Sequence, residues 1–367
     1  AARDLADATA PPKALYTSPA ILALEQQHVS AASRLCAGRA DEIPAPGAYM
    51  TYELGPQPVI LIRGKDGGIS ARANTCRHRM MRLVEGRGRA SRFTCPYHAW
   101  TYGIDGRLVS APHMDRTACF ARDELALAQI RCEIYQGWIY VTLDADAAPV
   151  ATKLAALTPV TERYRPQDYA TIFSEEHVWD TNWKCLTENF MESYHLPVAH
   201  RETVGANFTV EENEFGDAGD SADFVYQFFT KTEGAPVGRA HDDNHHLDGL
   251  WRHTSVMPTV FPSHMYVLAP DHLWYLSLQP EGTDRTRIRY GAALAPEVMA
   301  AADDVAALIA EKKAFLDKVQ VEDRHVVEGI FRGAQSPLGT PGPLSWMEQE
   351  NHQFTRYLAG RLCGGLS

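Results

Sequence analysis

The sequence predicts an α+β protein with a small all-β domain followed by a larger domain that mixes strands and helices. Three observations carry this. The chain has 367 residues, which fits about two domains of ordinary size. Between residues 49 and 143 short β-rich runs alternate with Gly, Pro and Asp turns. Beyond them, strands recur in succession and helices gather around them, unlike the strand–helix alternation of a parallel sheet. With 45% hydrophobic and 22% charged residues, the composition excludes a largely disordered chain.

Local signals order the elements. Residues 18–30 read as a short helix, with Pro19 at its first position. Residues 1–35 are therefore an N-terminal helical segment expected to pack on the larger domain. Residues 36–150 form the β domain, with strands at 59–64, 92–95, 100–103 and 137–143. The Ala/Pro-rich stretch 144–153 reads as a linker, and 151–367 form the second domain. There a strand over 171–179 leads into a helix over 182–196, and the polar stretch 211–249 reads as a loop or lid. Strands follow at 251–261, 264–270, 272–280 and 285–294, and two helices close the chain. In the last strand Ile288, Tyr290 and Ala292 alternate with Arg287 and Arg289. In the first closing helix Val305, Leu308, Ile309, Phe315, Leu316 and Val319 form a helical stripe.

The formal charge of −11 argues against a general nucleic-acid binder. No run of 18 apolar residues predicts a membrane span, and AARDLADATAPPK lacks the apolar stretch of a signal peptide. Seven scattered cysteines suit a reducing cytoplasm, where grouped Cys and His more often mean metal than disulfide.

Two groups of residues carry chemistry. The first is Cys76-Arg-His78 and, after 16 residues, Cys95-Pro-Tyr-His98. A Cys₂His₂ set can hold a structural zinc. It can also hold a [2Fe–2S] cluster, with thiolates on one iron and imidazoles on the other. Each arm here mixes one Cys with one His, whereas zinc fingers usually pair like with like, and this favours the cluster. The second group is Glu192, His195 and His200. Glu192 and His195 are three apart, so on a helix they share a face. His195 and His200 would stand about 140° apart on an unbroken helix, and Pro197 is expected to break it and bring them together. Two imidazoles and a carboxylate form the facial triad of a non-heme Fe(II) site. Asp323 is the candidate third ligand. It lies on the apolar stripe Phe315, Val319, Val326, Val327 and Ile330, where an acid is costly unless paired or bound. Glu322 and Glu328 fall off that stripe and read as solvated.

These motifs resemble the Rieske non-heme iron oxygenases, in particular the terminal oxygenase (alpha) subunits of the aromatic-ring-hydroxylating dioxygenase family. The resemblance rests on Cys76-Arg-His78-Arg, Gly86-Arg-Gly88, Pro96-Tyr97-His98-Ala99-Trp100, the E-x₂-H-x₄-H pattern at 192–200 and the segment EDRHVVEGIFRG. Met80 and Ala99 stand where many members carry Gly. The resemblance implies a Rieske domain followed by a helix-grip (START-like) α+β catalytic domain. It implies a [2Fe–2S] cluster on Cys76, His78, Cys95 and His98, and mononuclear Fe(II) on His195, His200 and Asp323. It also implies O₂ as co-substrate and electrons from NAD(P)H through a separate flavin/ferredoxin-type reductase, since no GxGxxG or flavin motif is present. A homotrimer or a multiple of it is implied, with Glu192 bridging a Rieske histidine of one subunit to an iron histidine of the next.

The wording ENFMESYH, with Glu at 192, looks like members that hydroxylate or oxidatively demethylate betaines and methylated amines. Dihydroxylation of an aromatic acid is the alternative. A pure electron carrier would need only the first half of the chain, and a helix-grip ligand-binding protein would leave both ligand groups idle. Trp251, Tyr266, Trp274, Tyr275 and Tyr290 either cage a quaternary ammonium or pack in the core. His241, His245 and His246 read as a solvated loop. His113, His177, His253, His264 and His272 read as structural, and Cys36, Cys119, Cys132, Cys185 and Cys363 as buried or inert thiols.

Overall fold

The structure, a computed structural model, describes residues 3–209, 213–219, 223–232 and 238–364. The polar stretch 211–249 therefore lies partly outside the described residues. The chain separates into two compact units, residues 30–147 and residues 1–29 together with 148–367. Among the described residues no helix is long and apolar enough to cross a membrane, and all seven cysteines are free.

The first unit is built of ten strands: β1 Leu35–Arg39, β2 Ala48–Leu54, β3 Gln57–Arg63, β4 Ile69–Ala73, β5 Arg87–Arg89, β6 Arg92–Thr94, β7 Thr101–Gly103, β8 Leu108–Ser110, β9 Gln129–Tyr135 and β10 Trp138–Thr142. They form an antiparallel seven-stranded sheet in the order β1-β10-β9-β4-β3-β2-β5 and a three-stranded sheet β6-β7-β8. Side chains alternate across a strand, and β3 uses both of its faces. Val59 and Leu61 pack with Met50, Tyr52 and Leu54. Ile60 and Ile62 turn the other way and pack with Cys76, Cys95, Phe93 and Trp100. The apolar run VILI is thus explained: one face builds the core and the other backs the Cys–His loops.

The second unit contains α1 Ala14–Thr17, α2 Pro19–Glu25, α3 Val150–Lys153, α4 Thr158–Thr161, β11 Ala170–Trp179, α5 Trp183–Met191, α6 Leu196–Ala199, β12 Asn213–Phe215, β13 Phe224–Thr230, β14 Thr254–Val260, β15 His264–Leu268, β16 His272–Pro280, β17 Thr286–Leu294, α7 Pro296–Ala301, α8 Val305–Ala334 and α9 Gln349–Gly364. Its antiparallel sheet runs β11-β17-β16-β15-β14-β13-β12. The predicted helix over 18–30 is α2 followed by a π-turn, Gln26–Ser30. The expected linker contains α3, and α7 precedes the two predicted closing helices.

Helix α8 buries Leu316, Val319, Gln320, Asp323, Val327 and Phe331, a stripe of helical period. Phe315 and Ile330, expected on that stripe, are half exposed at 47% and 48%. Their positions fall one residue to the side of the buried line. Arg287 and Arg289 do face away from Ile288 and Tyr290, where both pair with Glu176. That face is covered as well, so Arg289 is buried.

Candidate metal centres and cavity

The two Cys–His arms fold as matching loops. The Cys76 N–H donates to the Met81 carbonyl (2.8 Å), and the Cys76 carbonyl accepts from the Met80 N–H (2.9 Å). Cys95 repeats this with Trp100 (2.8 Å) and Ala99 (3.0 Å). Each loop holds the fourth residue after its cysteine in left-handed backbone, with φ +59° at Met80 and +57° at Ala99. Glycine adopts that conformation without the Cβ penalty, which explains why members of the resembled family carry it there.

Both cysteines are buried and both histidines exposed. The His78 and His98 rings lie 4.7 Å apart, and Trp100 stacks on His78 at 4.9 Å. The Tyr102 hydroxyl accepts from the Arg77 N–H (2.9 Å) and lies 3.3 Å from Cys76 Sγ. Sulfur inside and nitrogen outside fits a cluster with thiolates on one iron and imidazoles on the other. Burial pushes the Cys76 thiol up, and Tyr102 opposes it.

The second site departs from the expected geometry. α5 ends at Met191, and Glu192 has extended backbone, φ −122° and ψ 148°. Glu192 and His195 therefore share no helix face. The Glu192 carboxylate instead folds onto the next turn, accepting from the His195 N–H (3.0 Å) and from His195 Nδ1 (2.6 Å). Pro197 breaks nothing: it stands in the first turn of α6, where a missing N–H is no loss. His195 precedes that turn and His200 follows it with φ −105° and ψ 27°. Neither lies inside a continuous helix, so the 140° separation does not arise, and the ring centroids are 5.1 Å apart. Gly205 locks the turn. Its N–H donates to the His200 carbonyl (3.0 Å), and a Cβ there would stand 2.0 Å from the Leu196 carbonyl oxygen.

Asp323 arrives from α8. Its Oδ1 is 3.0 Å from His200 Nε2 and 3.7 Å from His195 Nε2. One donor atom from each of the three residues lies within 4.8 Å of the others, the donor set of a two-histidine, one-carboxylate iron site. Burial opposes charge on His195, but Asp323 and Glu192 outweigh it and lift its pKa to about 9. His200 is raised against burial by Asp323 and Glu322, and Asp323 is lowered against burial by the two imidazoles. The carboxylates of Asp323, Glu192 and Glu322 thus make an electronegative surround for the two imidazoles, one that suits a cation.

Glu322 corrects the sequence reading. It is not solvated: its carboxylate accepts from His200 Nδ1 (2.8 Å) and from the Thr203 hydroxyl. The turn that carries His200 closes over the outer side of α8 and supplies both donors. Each imidazole thus has a carboxylate on its far nitrogen, an arrangement that fixes the tautomer and leaves Nε2 facing Asp323. Glu328 is not solvated either, accepting from Arg324 Nε (2.7 Å) and the Asp180 N–H (3.3 Å). Lys184 pairs with buried Glu25 at 2.8 Å.

A cavity of about 420 Å³ lies beside the triad. Its sheet wall is two rungs, because residues paired across antiparallel strands face the same side. One rung runs Met257, Val267, Trp274 and Ala292; the next runs Phe229, Ser255, His272 and Leu294. Of the five aromatics weighed from sequence, Trp274 lines the cavity, against Phe190 at 5.6 Å. Tyr266, Tyr275 and Tyr290 are core, and Trp251 packs on Phe228 and under Arg163.

Sequence reasoning missed Phe190, Phe208 and Phe315, and Asn189, whose amide is 3.2 Å from His195 Nε2. Asn189 and Phe190 were legible only as neighbours in ENFMESYH. His272, read as structural, lines the cavity. His241, His245 and His246 are largely at the surface. Cys119 and Cys363 are exposed, not buried.

Comparison with known proteins gives matching results for both units. Residues 162–364 match the model for the ring hydroxylating alpha subunit (catalytic domain), and residues 33–121 match the Rieske [2Fe-2S] domain. The carnitine monooxygenase oxygenase subunit of Acinetobacter baumannii is 31% identical over 192 residues, 52% of each chain. The glycine betaine monooxygenase oxygenase subunit of Chromohalobacter salexigens is 32% identical over 204 residues, 55% of this chain and 46% of that protein. The chain thus spans about half the length of the curated relatives it matches. The crystal structure of a quaternary ammonium Rieske monooxygenase, CntA, in complex with L-carnitine has the same fold. Its TM-score is 0.81 at 22% identity, covering 98% of this chain and 97% of that one.

Proposed function

The chain belongs to the ring hydroxylating alpha subunit family, and from that premise we propose that it is the oxygenase component of a Rieske-type system acting on a small methylated amine or betaine. It takes electrons from a separate reductase and O₂ as co-substrate, and it works as a homotrimer or a multiple of it in the cytoplasm. The observation that carries this reading is the convergence of His195, His200 and Asp323 within 4.8 Å at the wall of a cavity lined by aromatic side chains.

His195, His200 and Asp323 hold the mononuclear iron, and Cys76, His78, Cys95 and His98 hold the cluster. When loaded, the iron supplies O₂ activation and the cluster supplies electrons one at a time. Glu192 and Glu322 hold the imidazoles by their Nδ1 protons. Glu192 also carries the relay to a Rieske histidine of a neighbouring copy. Phe190 and Trp274 line the cavity and supply aromatic rings, which attract a quaternary ammonium, and Met257, Val267 and Ala292 on the Trp274 rung exclude water. The balanced outcome is substrate, O₂, two electrons and two protons giving hydroxylated product and water. On an N-methyl group the hydroxymethyl product then releases formaldehyde and the demethylated amine. Two relatives named for carnitine and glycine betaine support the substrate class.

The test is NADH-coupled oxygen uptake by reconstituted protein with a reductase, comparing trimethylammonium compounds with aromatic acids. Formaldehyde release matching oxygen uptake is expected. A diol from an aromatic acid, with no formaldehyde from any amine, would overturn the substrate reading.

A further inference from the structure

The cavity has a polar end that the metal chemistry does not use. The β15–β16 hairpin turns at Ala269, Pro270, Asp271 and His272, closed by the Ala269 N–H on the His272 carbonyl at 2.9 Å. Asp271 Oδ1 holds His272 Nδ1 at 2.7 Å, and its Oδ2 takes Lys312 Nζ from α8 at 3.4 Å. His272 and Lys312 both line the cavity. Two strands from His272 on the same rung, Ser255 also lines it. Its hydroxyl is buried and has no hydrogen-bond partner, a state that usually means a missing ligand or water.

We propose that Lys312, His272 and Ser255 form an anion subsite that binds the carboxylate of the substrate. Asp271 is the positioning residue that aims the first two. This deepens the proposed function, on which it rests: the favoured substrate becomes a zwitterion, with its methylated ammonium toward the iron and its carboxylate at the hairpin. A lysine ammonium has three protons. One goes to Asp271, and the others are free to make charge-assisted bonds to a carboxylate. Glu311 also lines this end and works against the anion, but it is exposed and screened.

The position on α8 sets the reach. Lys312 and Asp323 are 11 residues apart, about three turns on one face and roughly 16 Å along the axis. The lysine stem spans part of this, and the substrate spans the rest.

The experiment uses the metal-loaded full chain with trimethylammonium carboxylates of one to five methylenes, their neutral carboxamides, and an aromatic carboxylate as a third probe. The variants are Lys312→Met, Lys312→Arg and His272→Gln. Lys312 is 30% exposed, so its loss spares the fold. The expected result is KM for the carboxylates raised roughly ten- to a hundredfold by Lys312→Met. The carboxamides should be unmoved, kcat largely kept, and Lys312→Arg partly restoring. Equal losses on carboxylate and carboxamide, or no loss on either, overturn the subsite. If the wild type turns over no methylated amine yet binds the aromatic carboxylate in a Lys312-dependent way, the substrate reading fails and the anion subsite stands.

Discussion

The two metal sites are built by opposite means. The Cys–His site is made of two short loops with the same backbone bonds, each closed within five residues of its cysteine. The triad is assembled from afar: His200 meets Asp323 across 123 positions and Glu322 across 122. A site closed locally writes its geometry into spacing, so C-x-H and C-x₂-H were readable as two equivalent arms. A site assembled across the chain writes only its ligands into the sequence. The groups that aim those ligands are placed by packing.

The strongest way to break this comparison is to remove one site and watch the other. Asp323→Ala or His195→Ala leaves two donors of three, so iron content and product formation should both fall to background. The cluster's visible absorbance and EPR signal should remain at wild-type level, because Cys76, His78, Cys95 and His98 lie in the other compact unit. Loss of both metals in either variant would show that the sites do not form independently.

Next in size is the acid that the sequence misassigned. Glu322→Gln keeps the shape but weakens the hold on His200 Nδ1 from a charged acceptor to a neutral one. Iron affinity should fall roughly tenfold to a hundredfold, read by competition with a chelator, with cluster content unchanged. Retention of wild-type iron affinity would reduce Glu322 to a bystander.

How much was legible follows the same division. Cys76, His78, Cys95, His98, His195, His200 and Asp323 stood out because each is a chemically odd residue in a recognisable place, and the structure brings His195, His200 and Asp323 within 4.8 Å of one another. The helix break was assigned to Pro197 because proline is the loudest local signal. The structure puts it at Glu192, whose carboxylate gains two bonds to His195 only once the chain leaves the helix. Glu322 was read as solvated because helical periodicity describes one helix and says nothing of what packs on its other side. The cavity aromatics Phe208, Phe229 and Phe315 share no spacing, since they come from a loop, β13 and α8.

Both units bury an acid against a cation, the second with Glu25 on Lys184, but the second also buries one on a neutral amide. In the first, Glu42 is paired with Arg87 at 2.6 Å. In the second, buried Glu350 on α9 has the Gln227 amide (2.7 Å), which also donates to the Met191 carbonyl at the helix break. Burial lifts Glu350 to about 8, with Gln227 opposing, against about 4.3 in an open chain. The acid is protonated in both states below about pH 4.3. As pH rises toward 8 the unfolded chain releases its proton and the folded chain keeps it, so stability falls across that window and levels off above it. Glu350→Gln should flatten this part of the second unit's unfolding profile, followed by calorimetry, and leave the first unit's profile unchanged. An unaltered slope would mean that other groups set it.

The smallest expected effect tests the matching loops themselves. Met80 and Ala99 occupy the same left-handed position in the two arms, each costing roughly 1 kcal/mol or more relative to a residue without a Cβ. Met80 is 80% exposed and Ala99 is exposed too, so neither change loses much packing. Against the relief stands the extra freedom glycine gives the unfolded chain. The balance favours glycine by a few tenths to about 1 kcal/mol at each site. Met80→Gly and Ala99→Gly should each raise the first unit's unfolding midpoint by a few degrees or less. The double variant should add, because the loops close independently. If the two single effects differ in sign, the arms are alike in hydrogen bonding but not in strain, and their equivalence stops at the backbone.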